Sequence, residues 1–326
     1  MKPMTSSRFL LLAAALLPAL APAQTAWPAA RPITLVVPYT AGGSVDYNAR
    51  LVATRLGERL KQTVVIDNIG GAGGAVGLAK AAAAAPDGYT LVAGTDSAMA
   101  IGKLVNPAAY RFDPLQALAP VAMLNTAPLV LVAGPRVQAR TYAQFVQQAK
   151  AHPGQMSYAT SGVGTVLQLA MELLKERSGI YVTHVPYRGG AQIASDVIGG
   201  QVDVAMLVST SAVPQVTGGR LHALGVTGPT RLQSLPDVPA FAEMPGLKGY
   251  EMVSWTGVFA PAGTPPAIVK RLNEELNAVL REPDVAAKLR EQGAVPGSGS
   301  SEQLGAFVRA ESQRYQQIVR RADIKE

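Results

Sequence analysis

Short apolar runs that stop at proline or glycine, each followed by a stretch with apolar residues at helical spacing, constrain this chain most. Ile33–Val37, 64–67 and 90–93 read as buried strands. Between the first two, Val45, Ala49, Val52, Leu56 and Leu60 recur on one helix face. The alternation resumes with a strand at 129–133, a helix over 141–150, a strand at 156–158 and a helix over about 163–177. Strands at 182–185, 202–207 and 221–226 complete the second group. Strands that alternate with helices predict mostly parallel sheets covered on both faces, an α/β protein. With 326 residues the chain exceeds what one core ordinarily serves, so two lobes are expected.

The start reads as a leader. Lys2 and Arg8 flank a polar beginning, Phe9 to Leu20 is almost unbroken apolar sequence, and Ala21-Pro22-Ala23 has the small-x-small pattern of a cleavage site. A secretory signal peptide over residues 1–23 is expected, and no later run is apolar enough for a membrane span. The end is helical. After a strand at 253–259, Thr264 is the expected N-cap and Pro265 the first helical residue, with Ile268, Leu272, Leu276 and Val279 on the apolar face. A last helix begins near Ser301 with Leu304, Phe307, Val308 and Ile318 inward, and 297–301 is a short loop.

Composition excludes several chemistries. No cysteine is present, which removes disulfides, thiolate metal sites and cysteine nucleophiles. The net charge of +7 falls to +5 without Lys2 and Arg8. The basic residues are scattered and aromatics are sparse, against the clustered stripe that nucleic-acid binding requires. His152, His184 and His222 lack metal spacing, no G-x-S-x-G elbow exists, and Glu274 and Glu275 lie on a polar helix face. No cofactor, metal or enzyme is expected. The glycines between 70 and 77 do not close a G-x-G-x-x-G frame, so they are expected to let the backbone approach the other lobe or a ligand instead.

Three strand ends carry small, hydroxyl-bearing turns before helices: TAGGSVD, GTDSAM with Thr95 and Ser97, and YATSGVGT. Free N–H groups at a helix start hold anions, and these turns contribute no acid–base group of their own to catalysis. Each alone is an ordinary cap; three together suggest carboxylate recognition in a cleft. Gly42 and Gly43 are expected to turn the backbone N–H groups toward the ligand.

RPITLVVPYTAGGSVD, APDGYTL, HPGQMSYATSGVGT, THVPYRGGAQ, GGQVDVAM, LPDVPAFAEM and SWTGVFAPAGTP occur in the order seen in the Bug, or TctC-like, proteins, which this sequence resembles from Pro32 to about Gly293. These are extracytoplasmic solute-binding components of tripartite tricarboxylate transporters. The resemblance implies a two-lobed periplasmic binding protein of type II, lobe 1 being 24–124 plus 249–326 and lobe 2 being 125–248. It implies a di- or tricarboxylate, acidic amino acid or aromatic carboxylate closed between the lobes by a monomeric protein and handed to membrane permease subunits. A sensor kinase as the receiver, or an exported carboxylate-processing enzyme using Asp46 or Asp203, are the alternatives.

Carried over residue by residue, the first loop is Ala41, Gly42, Gly43 and Ser44 with Asp46. The second is Thr160, Ser161, Gly162, Val163, Gly164 and Thr165. Asp203 either orients the ligand's distal end or fixes a loop, and Trp255 either walls the pocket or packs the core. Tyr39, Tyr158 and Tyr187 are the other aromatics near the expected cleft. Where the family often has a second-lobe histidine, this chain has Gln168.

Overall fold

The computed structural model describes residues 27–187 and 190–325; the expected leader lies outside them. Its first half runs β1 (Ile33–Val37), α1 (Ser44–Leu60), β2 (Val64–Asn68), α2 (Ala75–Ala82), β3 (Thr90–Thr95), a π-helical turn (Asp96–Ile101), α3 (Gly102–Val105) and α4 (Pro114–Ala117). A long strand, β4 (Leu118–Ala133), leads into α5 (Tyr142–Ala151), β5 (Ser157–Thr160), α6 (Val166–Ser178) and β6 (Thr183–Pro186). Then come α7 (Gly190–Ile198), β7 (Val204–Val208), α8 (Ser209–Thr217) and β8 (His222–Val226). The chain ends with β9 (Val253–Pro261), α9 (Pro266–Arg281), α10 (Pro283–Glu291), β10 (Val295–Pro296) and α11 (Ser301–Arg321).

Strand β4 belongs to two sheets. Residues 118–128 pair with β9, while 129–133 pair with β7 on one side and β8 on the other. The first sheet is ordered β2-β1-β3-β9-β4 and the second continues β4-β7-β5-β6. The βα units pair in parallel, β1 with β2 and β3, and β5 with β6 and β7. The two strands that carry the chain between sheets, β4 and β9, run antiparallel to their neighbours. Sequence reading found only the last third of β4, because Pro120, Asn125 and Pro128 break its apolar pattern. Over that stretch β4 is an edge apart from short β10, and its register shifts between Pro120 and Ala122, so the missing N–H groups are tolerated.

Burial explains why β1 reads as a continuous apolar run. Ile33, Leu35 and Val37 pack with Ala49, Val52, Leu56 and Leu60 of α1 and Leu272, Leu276 and Val279 of α9. Val36 faces the opposite core. The C-terminal helices therefore complete the first sheet's layer. Arg59 of α1 and Glu275 of α9 lie 2.6 Å apart across that contact.

One cap differs from expectation. Pro265, not Thr264, is the N-cap of α9, and Pro266 begins the helix. A residue before proline is held out of the helical region, so Pro266 keeps Pro265 extended and moves the start one residue on. The Thr264 hydroxyl donates instead to the Pro261 carbonyl at 2.7 Å. The loop at 297–301 also does more than connect: the Gly297 amide donates to the Leu124 carbonyl at 2.7 Å, and Ser300 caps α11.

A candidate ligand cleft at converging strand ends

Four parallel strands, β1, β3, β5 and β7, end at one cleft between the two sheets, the position where open α/β sheets place their ligands. From the first sheet come Tyr39, Gly43, Ser44, Val45 and Asp46 after β1, Thr95, Asp96 and Ser97 at the end of β3, and Ser254 of β9. The second contributes Ser161, Val166 and Leu167 after β5, Gly190 of α7, and Leu207, Val208 and Ser211 around the β7–α8 junction. Among the described residues, no Lys or Arg lines this cavity. Its volume of about 60 Å³ has room for about four to six waters.

At the cleft, three helices present first turns that take no side-chain bond from their own N-cap residue, although in α6 the Val166 amide already donates to the Ser97 hydroxyl. The N-caps of α1 (Gly43), α6 (Thr165) and α8 (Val208) make no side-chain hydrogen bond. Of the helices that start elsewhere, α5 and α11 carry complete capping boxes from Thr141 with Gln144 and Ser300 with Gln303, while α9 and α10 have no side-chain cap. An unused cap leaves N–H donors and the positive end of a helix dipole facing the cavity.

The first loop is shaped by Asp46. Its carboxylate accepts from the Gly42 amide at 2.9 Å, from Arg50 Nε at 3.0 Å and from Asn68 Nδ2 at 2.9 Å. Burial alone would raise this carboxyl, but the bonds from Arg50, Gly42 and Asn68 outweigh it and hold it below the usual carboxylate range. Gly42 has φ 85, a left-handed conformation that glycine adopts freely. Gly43 does not: its φ of −83 and ψ of 175 suit any residue. Only one of the two glycines is therefore required by the turn, and the other leaves the cleft open by lacking a side chain.

At the end of β3, Asp96 is 1% exposed and accepts four hydrogen bonds. The Ser97 amide and hydroxyl donate to Oδ1 at 2.5 and 2.6 Å, and the Ser254 hydroxyl and Trp255 amide donate to Oδ2 at 2.7 and 2.9 Å. Burial pushes this carboxyl up from its ordinary value, and the Ser97, Ser254 and Trp255 donors offset part of that. Asp96 thus ties the β3 turn to the beginning of β9. Thr95 and Tyr39 hydroxyls lie 2.8 Å apart beside it, and burial pushes the Tyr39 phenol up, so it stays an O–H.

Of the residues expected at the site, Tyr39, Gly43, Ser44, Asp46, Thr95, Ser97 and Ser161 line this cavity. Gly42 lines an adjoining chamber. Ala41 is exposed beside them. Thr160, Gly164 and Thr165 lie beneath the second loop and hold it: the Thr160 and Thr165 hydroxyls both donate to the Gly162 carbonyl, and the Gly164 amide donates to Gln168 Oε1.

Three residues sit elsewhere. Asp203 stands just before β7, where its carboxylate accepts from the Ser157 amide and hydroxyl at 2.8 and 2.9 Å. That is the opposite end of the sheet, about 16 Å from the cleft at ~3.3 Å per strand residue. Trp255 is fully buried against Phe259 and Phe307. Side chains alternate across a strand, so Ser254 faces the cleft and Trp255 the core. Tyr158 is buried, stacked on His184, with its hydroxyl donating to Glu172.

Sequence reading missed Asp96, Ser254, Leu207, Val208, Ser211 and Gly190. Asp96 lay inside the GTDSAM turn, between two residues that were chosen. Leu207 and Val208 gave no signal, since they look like any buried strand end. The glycine-rich loop reaches the back of the cleft, where the Gly73 carbonyl accepts from the Tyr39 hydroxyl at 3.3 Å, and a Cβ at Gly73 would lie 4.0 Å from the Val163 carbonyl of the second loop. Its tightest approaches are elsewhere. There a Cβ at Gly74 would lie 2.7 Å from Ala98 Cβ, and one at Gly77 2.7 Å from Pro38 Cα, both in the same half of the molecule.

This architecture, two α/β sheets joined by antiparallel crossover strands with a cleft at their parallel strand ends, defines a periplasmic binding protein, and solved structures of that class match it. Residues 48–324 match the TctC family, the "Tripartite tricarboxylate transporter family receptor". The chain belongs to this family. It is 34% identical to Protein BugT of Bordetella pertussis over 297 residues, 91% of this chain and 90% of BugT. Among solved structures, Rpa4515 of R. palustris with adipate superposes with a TM-score of 0.87 at 36% identity, covering 92% of this chain and 99% of that one. MatC from Rhodopseudomonas palustris with bound malate gives 0.84 at 31% identity, covering 89% and 99%. Both family and neighbours are binding proteins, and among the described residues no helix is long and apolar enough to cross a membrane.

Proposed function

We propose that this chain captures a small carboxylate between its two lobes in the periplasm and delivers it to the permease subunits of a tripartite tricarboxylate-type transporter. The observation that carries this reading is the set of three helix N-termini without a bond from their own N-cap side chains, from both sheets, at one cavity lined by no cationic side chain among the described residues. Such a site suits a carboxylate held by main-chain N–H groups and hydroxyls. Adipate in one relative and malate in another support a short aliphatic acid. The lobes are 24–124 with 249–326, and 125–248, and they hinge where strand pairing changes sheets, at Pro128–Leu129 and before Val253. Residues 1–23 are the leader that exports the protein.

A thermal-shift screen of the chain from Gln24 tests this against aliphatic dicarboxylates, acidic amino acids and aromatic carboxylates. A ligand at a hundred times its dissociation constant adds about 2.7 kcal/mol, which raises the melting temperature visibly. The expected result is a hit among aliphatic dicarboxylates with the compound recovered unchanged by NMR. Turnover of the compound, or no shift by any carboxylate at millimolar concentration, overturns the reading. Uptake of the same compound by cells lacking the chain, at the rate of the parent, overturns the transport role.

A further inference from the structure

Asp96 is a carboxylate in the wall of the cleft with no cation to balance it. It lines the cavity at 1% exposure, and among the described residues its partners are the neutral donors of Ser97, Ser254 and Trp255. The titratable groups that face it are phenols: Tyr39 in the loop after β1, with Tyr110 beyond it, and Tyr315 of α11. Asp46, in the same cavity wall, is already paired with Arg50. On the elements packed against the turn, Lys80 of α2, Lys103 of α3, Lys175 of α6 and Arg314 of α11 are committed to Asp67, Asp113, Glu172 and Glu311. A second anion bound beside Asp96 therefore meets an uncompensated charge away from bulk water.

The hydrogen bonds decide where a proton can enter. Oδ1 accepts from the Ser97 amide and hydroxyl. That hydroxyl's oxygen already accepts from the Val166 amide, which keeps its hydrogen on Oδ1. Oδ2 accepts from the Trp255 amide and the Ser254 hydroxyl. Among the described residues the Ser254 hydroxyl makes this bond alone, and Ser254 lines the cavity. A proton on Oδ2 turns the bond around. Asp96 then donates to Ser254 Oγ, and the Ser254 hydrogen is free to point into the cleft. The wall loses a negative charge and gains a donor in one step.

We propose that Asp96 binds a proton together with the ligand, one proton from solvent at Oδ2 for each anion, so that Ser254 becomes a ligand donor and capture strengthens in mild acid. This rests on the cleft being the carboxylate site. Burial already raises the Asp96 carboxyl from its ordinary value, and an added negative charge raises it further. A unit charge about 6 Å away, at the effective dielectric of a protein, changes a proton's binding constant by about 100-fold. By reciprocity the proton strengthens ligand binding by the same factor.

The experiment is calorimetric titration of the parent chain with malate and with straight-chain dicarboxylates from succinate to suberate, in paired buffers of different ionisation enthalpy between about pH 5.5 and 8. The dependence of the heat on the buffer counts the protons taken up. The expected uptake peaks above about half a proton per ligand, and affinity rises by up to about 100-fold from the alkaline to the acid end. Asp96→Asn, with an amide where the protonated acid would stand, should keep only the uptake due to the ligand's own carboxylates, and its affinity should be far flatter with pH. In parent chain carrying isotope-labelled aspartate, the Asp96 carboxyl carbon should move to its protonated position on ligand addition, a reading that needs no variant. A heat independent of buffer in the parent, or equal uptake in Asp96→Asn, overturns the coupling and leaves the cleft standing. Failure of every acid to bind at any pH overturns the cleft reading itself, and the coupling with it.

Discussion

The Ser97 hydroxyl accepts a hydrogen bond from the Val166 amide at 3.1 Å, joining the end of β3 in one sheet to the first turn of α6 in the other. The same oxygen donates to Asp96, which holds the start of β9. One side chain therefore links the strand-end turn, the returning crossover strand and the facing helix. Both Ser97 and Val166 are buried, at 5% and 2% exposure. Ser97→Ala leaves that N–H without a partner and removes a donor from a buried carboxylate. The expected loss is about 1–3 kcal/mol in urea unfolding, far more than a surface Ser→Ala change. An unchanged midpoint would show that the linkage contributes nothing.

Gly43 separates a ligand effect from a folding effect. Its backbone is extended, and a Cβ there meets nothing nearer than the Thr40 carbonyl at 3.9 Å. Gly43→Val is thus expected to fold, with stability within about 1 kcal/mol of the parent, the cost of a poorer N-cap. Its isopropyl group projects where a small ligand must sit, so affinity for any carboxylate hit should fall at least about tenfold. Unfolding of the variant, or retained affinity, contradicts the placement of the ligand beside this residue.

What the sequence reveals is what local chemistry dictates. Alternating apolar runs and helical spacing located β1, α1 and the faces of α9 and α11, because burial on two sides or one stripe leaves a periodic trace. The loop residues Gly43, Ser44 and Ser161 were found for a similar reason: turns need small and hydroxyl-bearing residues. The first two thirds of β4 escaped, since an edge strand tolerates proline and asparagine that a central one would not. Of the two roles expected for Asp203, the loop-fixing one is what the geometry shows, because its strand end, not its residue type, decides whether it reaches the cleft. Ser211 comes to the site only because α8 begins across the cleft from α1's loop, which no local pattern records.

Asp46 is expected to act through the loop it holds. Asp46→Ala frees the Gly42 amide and removes the partner shared by Arg50 and Asn68. Loss of a hydrogen bond to a charged group costs about 1.5–3 kcal/mol. Hydrogen exchange of the Gly42 amide should speed up locally while core amides of β1 keep their protection. Because the Asp46 carboxyl sits below its ordinary value when folded, its contribution is present above the unfolded value and disappears as pH falls. The difference between parent and Asp46→Ala should therefore shrink in acid. A difference independent of pH would mean the carboxylate's charge is irrelevant to the loop.

His184 makes the second lobe sensitive to mild acid. Its ring stacks on Tyr158 with centroids 4.8 Å apart, and Nε2 lies 2.6 Å from the Thr160 hydroxyl. Gln168, which holds the Gly164 amide, approaches Nδ1 at 3.4 Å. Burial lowers its pKa to about 4; nearby Glu172 works against that and Lys175 with it. An unfolded histidine titrates near 6.5, so between about pH 6.5 and 4 the unfolded chain binds more protons than the folded one. Stability consequently rises with pH through that window and is lost as pH falls through it. Discounted for the ring's partial exposure, the loss between pH 7 and 5 amounts to about 1 kcal/mol. Urea unfolding at the two pH values should show this increment in the parent and a smaller one in His184→Gln, which has no proton to gain. Equal pH dependence in both proteins would assign the acid sensitivity to other groups. The same titration, followed through the amide signals of Gly162 and Gly164, should show the second loop loosening with the ring's protonation, since Thr160 and Gln168 connect the two.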